Sequence, residues 1–307
     1  MKAARFHAYG AEVIVESVAQ PAIGPDEVLV EVKAAALNPL DVKMHAGWMH
    51  EVFPVDLPHT IATDLAGVVT RVGDQVQRFR PGDHVVGRSD PTRGGAMAGS
   101  AAIPADHLVP VPAGLSLTDA AGIPTAAGTA WQALIEMAAL RAGQTVLVHA
   151  GAGGVGGFAI QFARMAGARV IATASGTGID IARRLGADQV IDYRTDEFAA
   201  VASGVDVVLD TIGGETQRRS FGVLRSGGRL LAISEAPDPA LAAAYGVEAD
   251  FVFHRSSGRR LQAMVDAIVT AGLTVPIDRV VALDDLAAAL RHQASGRARG
   301  KIIIAMG

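Results

Sequence analysis

The pattern of apolar and polar residues changes character near residue 120. Before that point, short β-like runs are separated by turns rich in Gly, Pro and Asp. Residues 27–35 alternate as a half-buried strand does, and further short strands are predicted at 65–72, 80–87 and 108–112. Short strands with irregular loops between them indicate a compact antiparallel β-barrel.

After residue 120, predicted strands alternate with predicted helices. We predict strands at 145–150, 169–174, 189–193, 205–210 and 229–234, with helices at 154–166 and 180–185 between them. This alternation is typical of βαβ units, so the fold class is α/β with a doubly wound parallel Rossmann sheet. A helix at 261–271 and a strand at 301–305 follow, and the pattern alone does not tell which sheet that strand joins.

A glycine-rich turn joins the first of these strands to a helix. Gly151, Gly153 and Gly156 give the spacing G-x-G-x-x-G, with Gly154 and Val155 between the last two. We expect Gly151 to permit the tight turn, Gly153 to let the backbone approach a pyrophosphate, and Gly156 to allow close helix–strand packing. The helix N-terminus then presents free N–H groups to the phosphates. The sequence therefore predicts a nicotinamide dinucleotide site and an oxidoreductase.

The residues after the second strand of this region favour one cofactor. NAD enzymes usually place Asp or Glu there, where it binds the ribose 2′-hydroxyl, whereas Ser175 stands at that position here. A neutral Ser175 would not repel a 2′-phosphate, although it also suits a helix N-cap. Asp180 falls inside the next predicted helix, and Tyr193 ends the third strand, where it could line the adenosine side. We therefore expect NADPH rather than NADH.

Composition excludes several kinds of protein. The chain has no cysteine, which removes disulfides, thiolate zinc sites and catalytic thiols. Its formal net charge is −4, so there is no basic excess to hold a nucleic acid. No run approaches about 20 apolar residues, so no membrane span is expected. We expect a cytoplasmic protein with a small-molecule substrate.

Several sequence blocks along the chain occur in a distinctive order. Asn38-Pro39-Leu40-Asp41 precedes residues 58–69, and Gly128-Thr129-Ala130-Trp131 precedes the glycine turn, which is followed by Asp210-Thr211-Ile212-Gly213-Gly214. In this order the blocks resemble the medium-chain dehydrogenase/reductase superfamily, and within it the zinc-free, zeta-crystallin-like quinone oxidoreductase branch. The resemblance covers nearly the whole chain.

The resemblance implies an architecture and an activity. Residues 1–120 and 259–307 would form a GroES-like catalytic domain built on the antiparallel barrel, and residues 121–258 the NAD(P)-binding Rossmann domain. NADPH would be the hydride donor, and a quinone or a similar conjugated carbonyl the acceptor. The resemblance also implies a homodimer joined through the Rossmann sheet.

Metal ligands separate the branches of this superfamily. In the alcohol dehydrogenase branch, a cysteine stands where this chain has Asn38, a histidine where it has Thr63, and usually a cysteine or glutamate near Thr125. None of these three residues is a typical zinc ligand, so we expect no metal. Without a Lewis acid to generate an alkoxide, the chemistry that remains is hydride delivery to an acceptor that is already electrophilic.

The resemblance also assigns roles to individual residues. Asn38 and Asp41 are the candidate catalytic residues: Asn38 can hydrogen-bond the acceptor or the ribose, and Asp41 orders its loop or transfers a proton. The candidate cofactor residues outside the glycine turn are Thr129 against the nicotinamide, Ser234 beside its ribose, Ser175 and Tyr193 on the adenosine side, and Arg299 or Arg297. Within the turn, Val155 would pack against the back face of the nicotinamide. These are positioning roles, as hydride chemistry belongs mainly to the cofactor.

Two alternatives to a quinone reductase stay open. A reductase of enones, 2-alkenals or enoyl double bonds would use the same hydride donor, but it needs a proton source, for which the sequence offers water or His50. The other alternative is a protein that binds NADPH without catalysing a reaction.

Overall fold

The computed structural model describes residues 1–307. The chain divides into two compact units, and each is described by itself below. The first unit combines Met1–Thr125 with Ser256–Gly307, and the second is Ala126–Arg255. The predicted fold class is confirmed, because one unit holds an antiparallel-rich sheet and the other a parallel Rossmann sheet.

The N-terminal segment of the first unit consists mainly of strands. Its elements are β1 (Lys2–Phe6), β2 (Ile14–Ser17), β3 (Glu27–Leu37), α1 (Pro39–His45), β4 (His59–Thr60), β5 (Asp64–Val72), β6 (His84–Arg88), β7 (Ser100–Pro104), β8 (Leu108–Pro110) and α2 (Leu117–Ala121). The strand predicted at 80–87 begins only at His84, because Arg80 to Asp83 form a turn. In that turn Asp83 accepts the backbone N–H of Arg80, and Gly82 has φ +96°.

The second unit alternates strands and helices. Helix α3 (Pro124–Trp131) crosses the boundary between the units and continues as a π-helical turn, Gln132–Met137. The elements that follow are β9 (Thr145–Val148), α4 (Gly154–Met165), β10 (Arg169–Ala174), α5 (Thr177–Arg184), β11 (Gln189–Asp192), α6 (Phe198–Val201), β12 (Val205–Asp210), α7 (Gly214–Ser220), β13 (Leu224–Ala232), α8 (Pro239–Tyr245) and β14 (Glu248–Phe251).

The sheet of the second unit is parallel throughout. Its strand order is β11-β10-β9-β12-β13-β14, so the order reverses direction between β9 and β12. Apolar residues of β9, β10, β12 and β13 are buried under the helices, as expected for a sheet covered on both faces. In such sheets, ligands bind outside the carboxyl ends of the strands, at the point where the order reverses.

The last segment returns to the first unit. It contributes α9 (Gly258–Thr270), β15 (Ile277–Ala282), α10 (Leu286–Ala294) and β16 (Lys301–Ala305). Strand β16 pairs antiparallel with β3 and parallel with β15, which answers the question that the sequence pattern left open. The pairing sets Ile302 opposite Leu37, so Lys301 comes to lie beside the end of β3.

Two sheets make up the first unit. The larger has the order β15-β16-β3-β5-β6-β8 with β7 also paired to β3, and the smaller has the order β2-β1-β4. Val30, Leu65, Val85 and Ile304 are among the fully buried residues of this unit's core. None of the helices in either unit is long and apolar enough to cross a membrane.

Candidate functional site

The glycine turn of the second unit is tightly packed against its own sheet. A Cβ on Gly156 would lie 2.3 Å from the carbonyl oxygen of Ala150, and one on Gly151 would lie 2.8 Å from the Cβ of Ala172. The left-handed residue of the turn is Ala150, with φ +50°, rather than Gly151. Gly151 is thus required by packing against β10, which differs from the turn role we expected for it.

The middle of the same turn is open. Gly153, Gly154 and Val155 are partly exposed, and a Cβ on Gly153 would meet only one atom, the carbonyl oxygen of Ala150 at 3.2 Å. Helix α4 begins at Gly154, and the N–H groups of a first helical turn have no acceptor within the helix. This open, glycine-lined helix N-terminus suits the diphosphate of a dinucleotide.

A buried chain of hydrogen bonds supports the start of the turn. Ser220 Oγ donates to the carbonyl oxygen of Thr216 at 2.7 Å, so its 2.9 Å contact with His149 must be donated by the Nε2–H of the imidazole. His149 Nδ1 then accepts from Thr173 Oγ1 at 3.2 Å, and Thr173 Oγ1 accepts the N–H of Ala150. We call His149, Thr173 and Ser220 the His149 network.

Burial keeps the His149 network uncharged. His149 is 1% exposed, and burial lowers its pKa from 6.5 to about 4, against the opposing charge of Asp210. The imidazole is therefore neutral at physiological pH, which agrees with the tautomer that its partners require. His149 was not among the predicted site residues, although a histidine at the end of an apolar strand is a signal that the sequence shows.

Ser175 and Tyr193 meet at the carboxyl ends of β10 and β11. Ser175 Oγ donates to Tyr193 Oη at 2.8 Å, and the tyrosine side of the pair is 57% exposed. Asp180 lies within α5, as its spacing predicted, so no acidic side chain directly follows β10. The pair thus places two hydroxyl groups beside the turn at Gly176 that starts α5.

The remaining cofactor candidates lie apart from that pair. Thr129 lies buried in α3, and Ser234 lies two residues beyond β13, where its Oγ is 3.6 Å from the position of a Cβ on Gly213. Arg299 belongs to the first unit, and its backbone N–H donates to Asp278 Oδ1 at 3.2 Å. Within the second unit, the structure brings together the glycine turn, the pair at 175 and 193, and the ends of the strands, whereas Arg299 is not part of that unit.

In the first unit, the buried carboxylate of Asp64 accepts hydrogen bonds from three side chains, and these three stand at the metal-ligand positions of the alcohol dehydrogenase branch. Asp64 is fully buried, and its Oδ2 accepts Asn38 Nδ2 at 3.0 Å. Its Oδ1 accepts Thr125 Oγ1 at 2.6 Å and Thr63 Oγ1 at 3.4 Å. The polar atoms at these three positions are thus hydrogen-bond donors to a carboxylate, and no three His, Cys, Asp or Glu side chains of the structure are grouped as a metal site.

Asp41 stabilises the backbone beside this carboxylate. It lies in the first turn of α1, and its Oδ2 accepts the N–H of Asn38 at 2.7 Å. Burial raises the pKa of Asp41 from 3.8 to about 7, and the nearby charge of Asp64 adds to the shift, whereas the Asn38 N–H opposes it. Asp41 is therefore a hydrogen-bond acceptor for the backbone at the start of α1, next to Asn38.

Two buried cations balance the two acids. Lys301 Nζ donates to the carbonyl oxygen of Leu37 at 2.9 Å and to Asn38 Oδ1, and lies 3.6 Å from Asp64 Oδ2. Arg88 Nε lies 3.9 Å from Asp64 Oδ1. Burial lowers the pKa of both cations, against the attraction of Asp64 and Asp41. We call Asn38, Asp41, Asp64, Arg88 and Lys301 the Asp64 network.

Asn38 and Asp41 were predicted as candidate site residues from the sequence, whereas Asp64, Arg88 and Lys301 were not. The signals were present: Asp64 and Lys301 are charged residues that begin apolar strands, and a charge there is buried only if it is paired. What the pattern did not reveal was that β16 pairs with β3 and brings Lys301 to Asn38.

Comparison with known proteins identifies the family. Residues 24–113 match the model of the alcohol dehydrogenase GroES-like domain, and residues 185–304 match the model of the zinc-binding dehydrogenase family. The chain is 32% identical to a chloroplast envelope quinone oxidoreductase homolog of Arabidopsis thaliana, over 99% of this chain and 98% of that protein. It is also 32% identical to a 2-methylene-furan-3-one reductase of Solanum lycopersicum, over 99% of this chain and 79% of that protein.

A solved structure shows the same fold. It is a mycobacterial protein complexed with NADPH, with a TM-score of 0.89 and 28% identity over 99% of both chains. The chain therefore belongs to the medium-chain dehydrogenase/reductase superfamily. Within that superfamily it belongs to the quinone oxidoreductase branch, as the order of its motifs predicted, and it is a nicotinamide-dependent oxidoreductase of the quinone reductase type.

Proposed function

We propose that this enzyme transfers hydride from NADPH to a quinone or a similar conjugated carbonyl, without zinc. The observation that carries the proposal is the convergence of Asn38, Thr63 and Thr125 on Asp64. All three act as donors to a carboxylate, and amide and hydroxyl groups are poor ligands for zinc, which prefers thiolate, imidazole or carboxylate. An acceptor that is already electrophilic needs no Lewis acid.

The second unit supports NADPH as the cofactor. Bound there, NADPH supplies the hydride, and the protein supplies binding and orientation. The open helix N-terminus at Gly153, Gly154 and Val155 suits the diphosphate, while Gly151 and Gly156 keep the turn close to the sheet. Ser175 and Tyr193 offer hydroxyl groups to a 2′-phosphate at a position where a carboxylate would repel it.

The other predicted cofactor contacts belong to the same proposal. We assign Thr129 and Val155 to the nicotinamide, Ser234 to its ribose, and Arg299 to the phosphates. We also propose that the enzyme is cytoplasmic and a homodimer. The parallel sheet ends at β11 and at β14, and we propose that a second copy extends it at β14.

Anaerobic assays with a panel of acceptors test the proposal. The protein is mixed with NADPH and either 1,4-benzoquinone or 9,10-phenanthrenequinone, and NADPH oxidation is followed. We expect quinone-dependent oxidation that a chelator such as EDTA leaves unchanged. Rapid turnover of enals and enones together with no turnover of any quinone would contradict the proposal, and inhibition by the chelator would contradict its zinc independence.

A second candidate function is supported by one comparison. The tomato relative is named a 2-methylene-furan-3-one reductase, so we also propose reduction of conjugated carbon–carbon double bonds. The two functions differ in the product atom that keeps the transferred hydride. With NADPH deuterated at the transferred position, an enone product carries deuterium on carbon, and a hydroquinone product does not. The alternative of a protein without catalytic activity is not retained, because the chain belongs to an oxidoreductase family.

A further inference from the structure

The side-chain amide of Asn38 is held in one orientation by two buried charges. Its Oδ1 accepts from the ammonium of Lys301, and its Nδ2 donates to Asp64 Oδ2 at 3.0 Å. A carboxylate only accepts hydrogen bonds and an ammonium only donates them. The opposite orientation would set oxygen against oxygen and N–H against N–H, so charge alone decides which way the amide faces.

Lys301 fixes more than the amide oxygen. Its ammonium also donates to the backbone carbonyl of Leu37 at 2.9 Å, and Asp41 accepts the backbone N–H of Asn38. The main chain and the side chain of Asn38 are thereby held at the junction between β3 and α1. Both Lys301 and Asp64 are almost completely buried, so water does not compete for these hydrogen bonds.

One N–H of this fixed amide is unused within the protein. Nδ2 carries two N–H groups, and only the one that faces Asp64 has a protein acceptor. Asn38 is 3% exposed, so the second N–H is an almost buried donor. Buried donors without an acceptor are rare in native proteins, and a catalytic role is one of the explanations for them.

Resting on the proposed function, we propose that Asp64 and Lys301 are positioning residues: they aim the second Nδ2–H of Asn38 at the carbonyl oxygen of the acceptor. When a quinone takes up the hydride, negative charge develops on an oxygen; water then protonates the hydroquinone anion, and NADP⁺ remains. A donor fixed in advance stabilises that charge without reorganising, and Asn38 itself transfers no proton.

The sequence offers an unusually clean spectroscopic test, because Asn38 is the only asparagine in the chain. Protein labelled with ¹⁵N in the asparagine side chain gives one NH₂ group in a ¹H–¹⁵N NMR spectrum. With NADP⁺ present no hydride is delivered, and 9,10-phenanthrenequinone can be titrated in. We expect one of the two proton signals to shift until it saturates, and the other, which faces Asp64, to stay. If neither signal moves at quinone concentrations that saturate turnover, the inference is wrong.

Variants of Lys301 test the positioning role. Lys301→Met removes the donor to Asn38 Oδ1, and we expect kcat to fall about 10-fold while the Kd for NADPH stays unchanged. Lys301→Gln keeps a donor and should recover part of kcat. The matched control is Lys33→Met, which removes a half-exposed lysine that pairs with Glu31. A kcat for folded Lys301→Met equal to that of the control would overturn the positioning role.

Asn38→Asp keeps the inference testable even if Lys301 variants do not fold. Aspartate still accepts from Lys301 but has no N–H to donate, so we expect kcat to fall about 100-fold with unchanged NADPH affinity. If the wild-type enzyme reduces quinones and Asn38→Asp does so equally fast, the inference fails while the proposed function stands. If the wild-type enzyme reduces no conjugated carbonyl at all, both fail.

Discussion

The two units fix their polar groups in opposite ways. The Asp64 network of the first unit contains two buried acids and two buried cations, and of these Asp64 and Lys301 orient one amide. The His149 network of the second unit contains one neutral imidazole and two hydroxyl groups, which together hold the backbone N–H of Ala150. Both are buried, but only the first contains ions.

This difference agrees with what each unit is proposed to hold. A dinucleotide brings its own negative phosphates, which backbone N–H groups and a helix N-terminus can receive, so the turn needs only to be kept in shape. An electrophilic carbonyl is neutral until the hydride arrives, and a donor that is aimed beforehand then has its largest effect. Buried charges give the strict orientation that such a donor requires.

The largest effect is expected when the Asp64 network loses its central charge. Asp64→Asn leaves Lys301 and Arg88 with one buried acid fewer, and we expect the free energy of unfolding to fall by about 3–5 kcal/mol. Denaturant unfolding measures it. The control Glu31→Gln breaks the surface pair with Lys33 and should cost less than about 1 kcal/mol. Equal losses in the two variants would show that the buried charges are not what holds this unit.

A charge added to the second unit should act on the cofactor instead. Ser175→Asp places a carboxylate where the proposal puts the 2′-phosphate, so we expect NADPH affinity to fall about 100-fold. The control Ser175→Ala loses only a neutral hydrogen bond to Tyr193 and should weaken NADPH by less than about 10-fold. Fluorescence titration measures both. If Ser175→Asp binds NADPH as tightly as Ser175→Ala, the 2′-phosphate is not at this position.

Breaking the uncharged His149 network should lower the free energy of unfolding less than breaking the charged Asp64 network. His149→Leu leaves Ser220 and Thr173 without their buried partner, and we expect a loss of about 2 kcal/mol in the free energy of unfolding. Because the network supports Ala150, NADPH affinity should fall as well. His149→Gln can restore one of the two hydrogen bonds and should lie between wild type and His149→Leu. Wild-type NADPH affinity in a folded His149→Leu would show that the turn does not depend on the network.

The smallest expected effect is on the pH dependence of stability, to which the two networks contribute with opposite sign. His149 has its pKa lowered from 6.5 to about 4 in the folded chain, so its contribution to stability is complete above pH 6.5 and is lost as pH falls towards 4. Asp41 has its pKa raised from 3.8 to about 7, so its contribution is complete below pH 3.8 and is lost as pH rises through 7.

Thermal unfolding of variants between pH 5 and 8 separates the two contributions. The stability of His149→Gln should approach that of wild type as the pH is lowered. The stability of Asp41→Asn should increase relative to wild type as the pH is raised. His59, whose pKa burial also lowers to about 4, remains in both variants and cancels in the comparison. Parallel pH profiles for wild type and Asp41→Asn would contradict the raised pKa.

The sequence predicted most of the second unit, because a parallel sheet leaves a strong local signal. The strands Arg169–Ala174 and Val205–Asp210 have the predicted bounds, since each is a buried apolar run between turn residues. Strand β13 begins at Leu224, five residues before its predicted start, because the exposed residues at its beginning show no apolar pattern.

The first unit was harder to predict, because its sheets join segments that are distant in sequence. Strands β1 and β4 are short, and their pairing across more than fifty residues leaves no local pattern. The same is true of the candidate site. Asn38 and Asp41 belong to one four-residue motif, whereas Asp64, Arg88 and Lys301 join the same network only through the pairing of β5, β6 and β16 with their neighbours.

Whether the amide of Asn38 stabilises the charge that develops on the acceptor is tested by a single turnover: NADPH bound to the protein is mixed with a quinone in a stopped-flow instrument. We expect the nicotinamide absorbance to decay rapidly in the wild-type enzyme and about 100-fold more slowly in Asn38→Asp, although both bind NADPH with the same Kd. Bound NADPH that stays unoxidised in the wild-type enzyme, or that decays equally fast in Asn38→Asp, would contradict it.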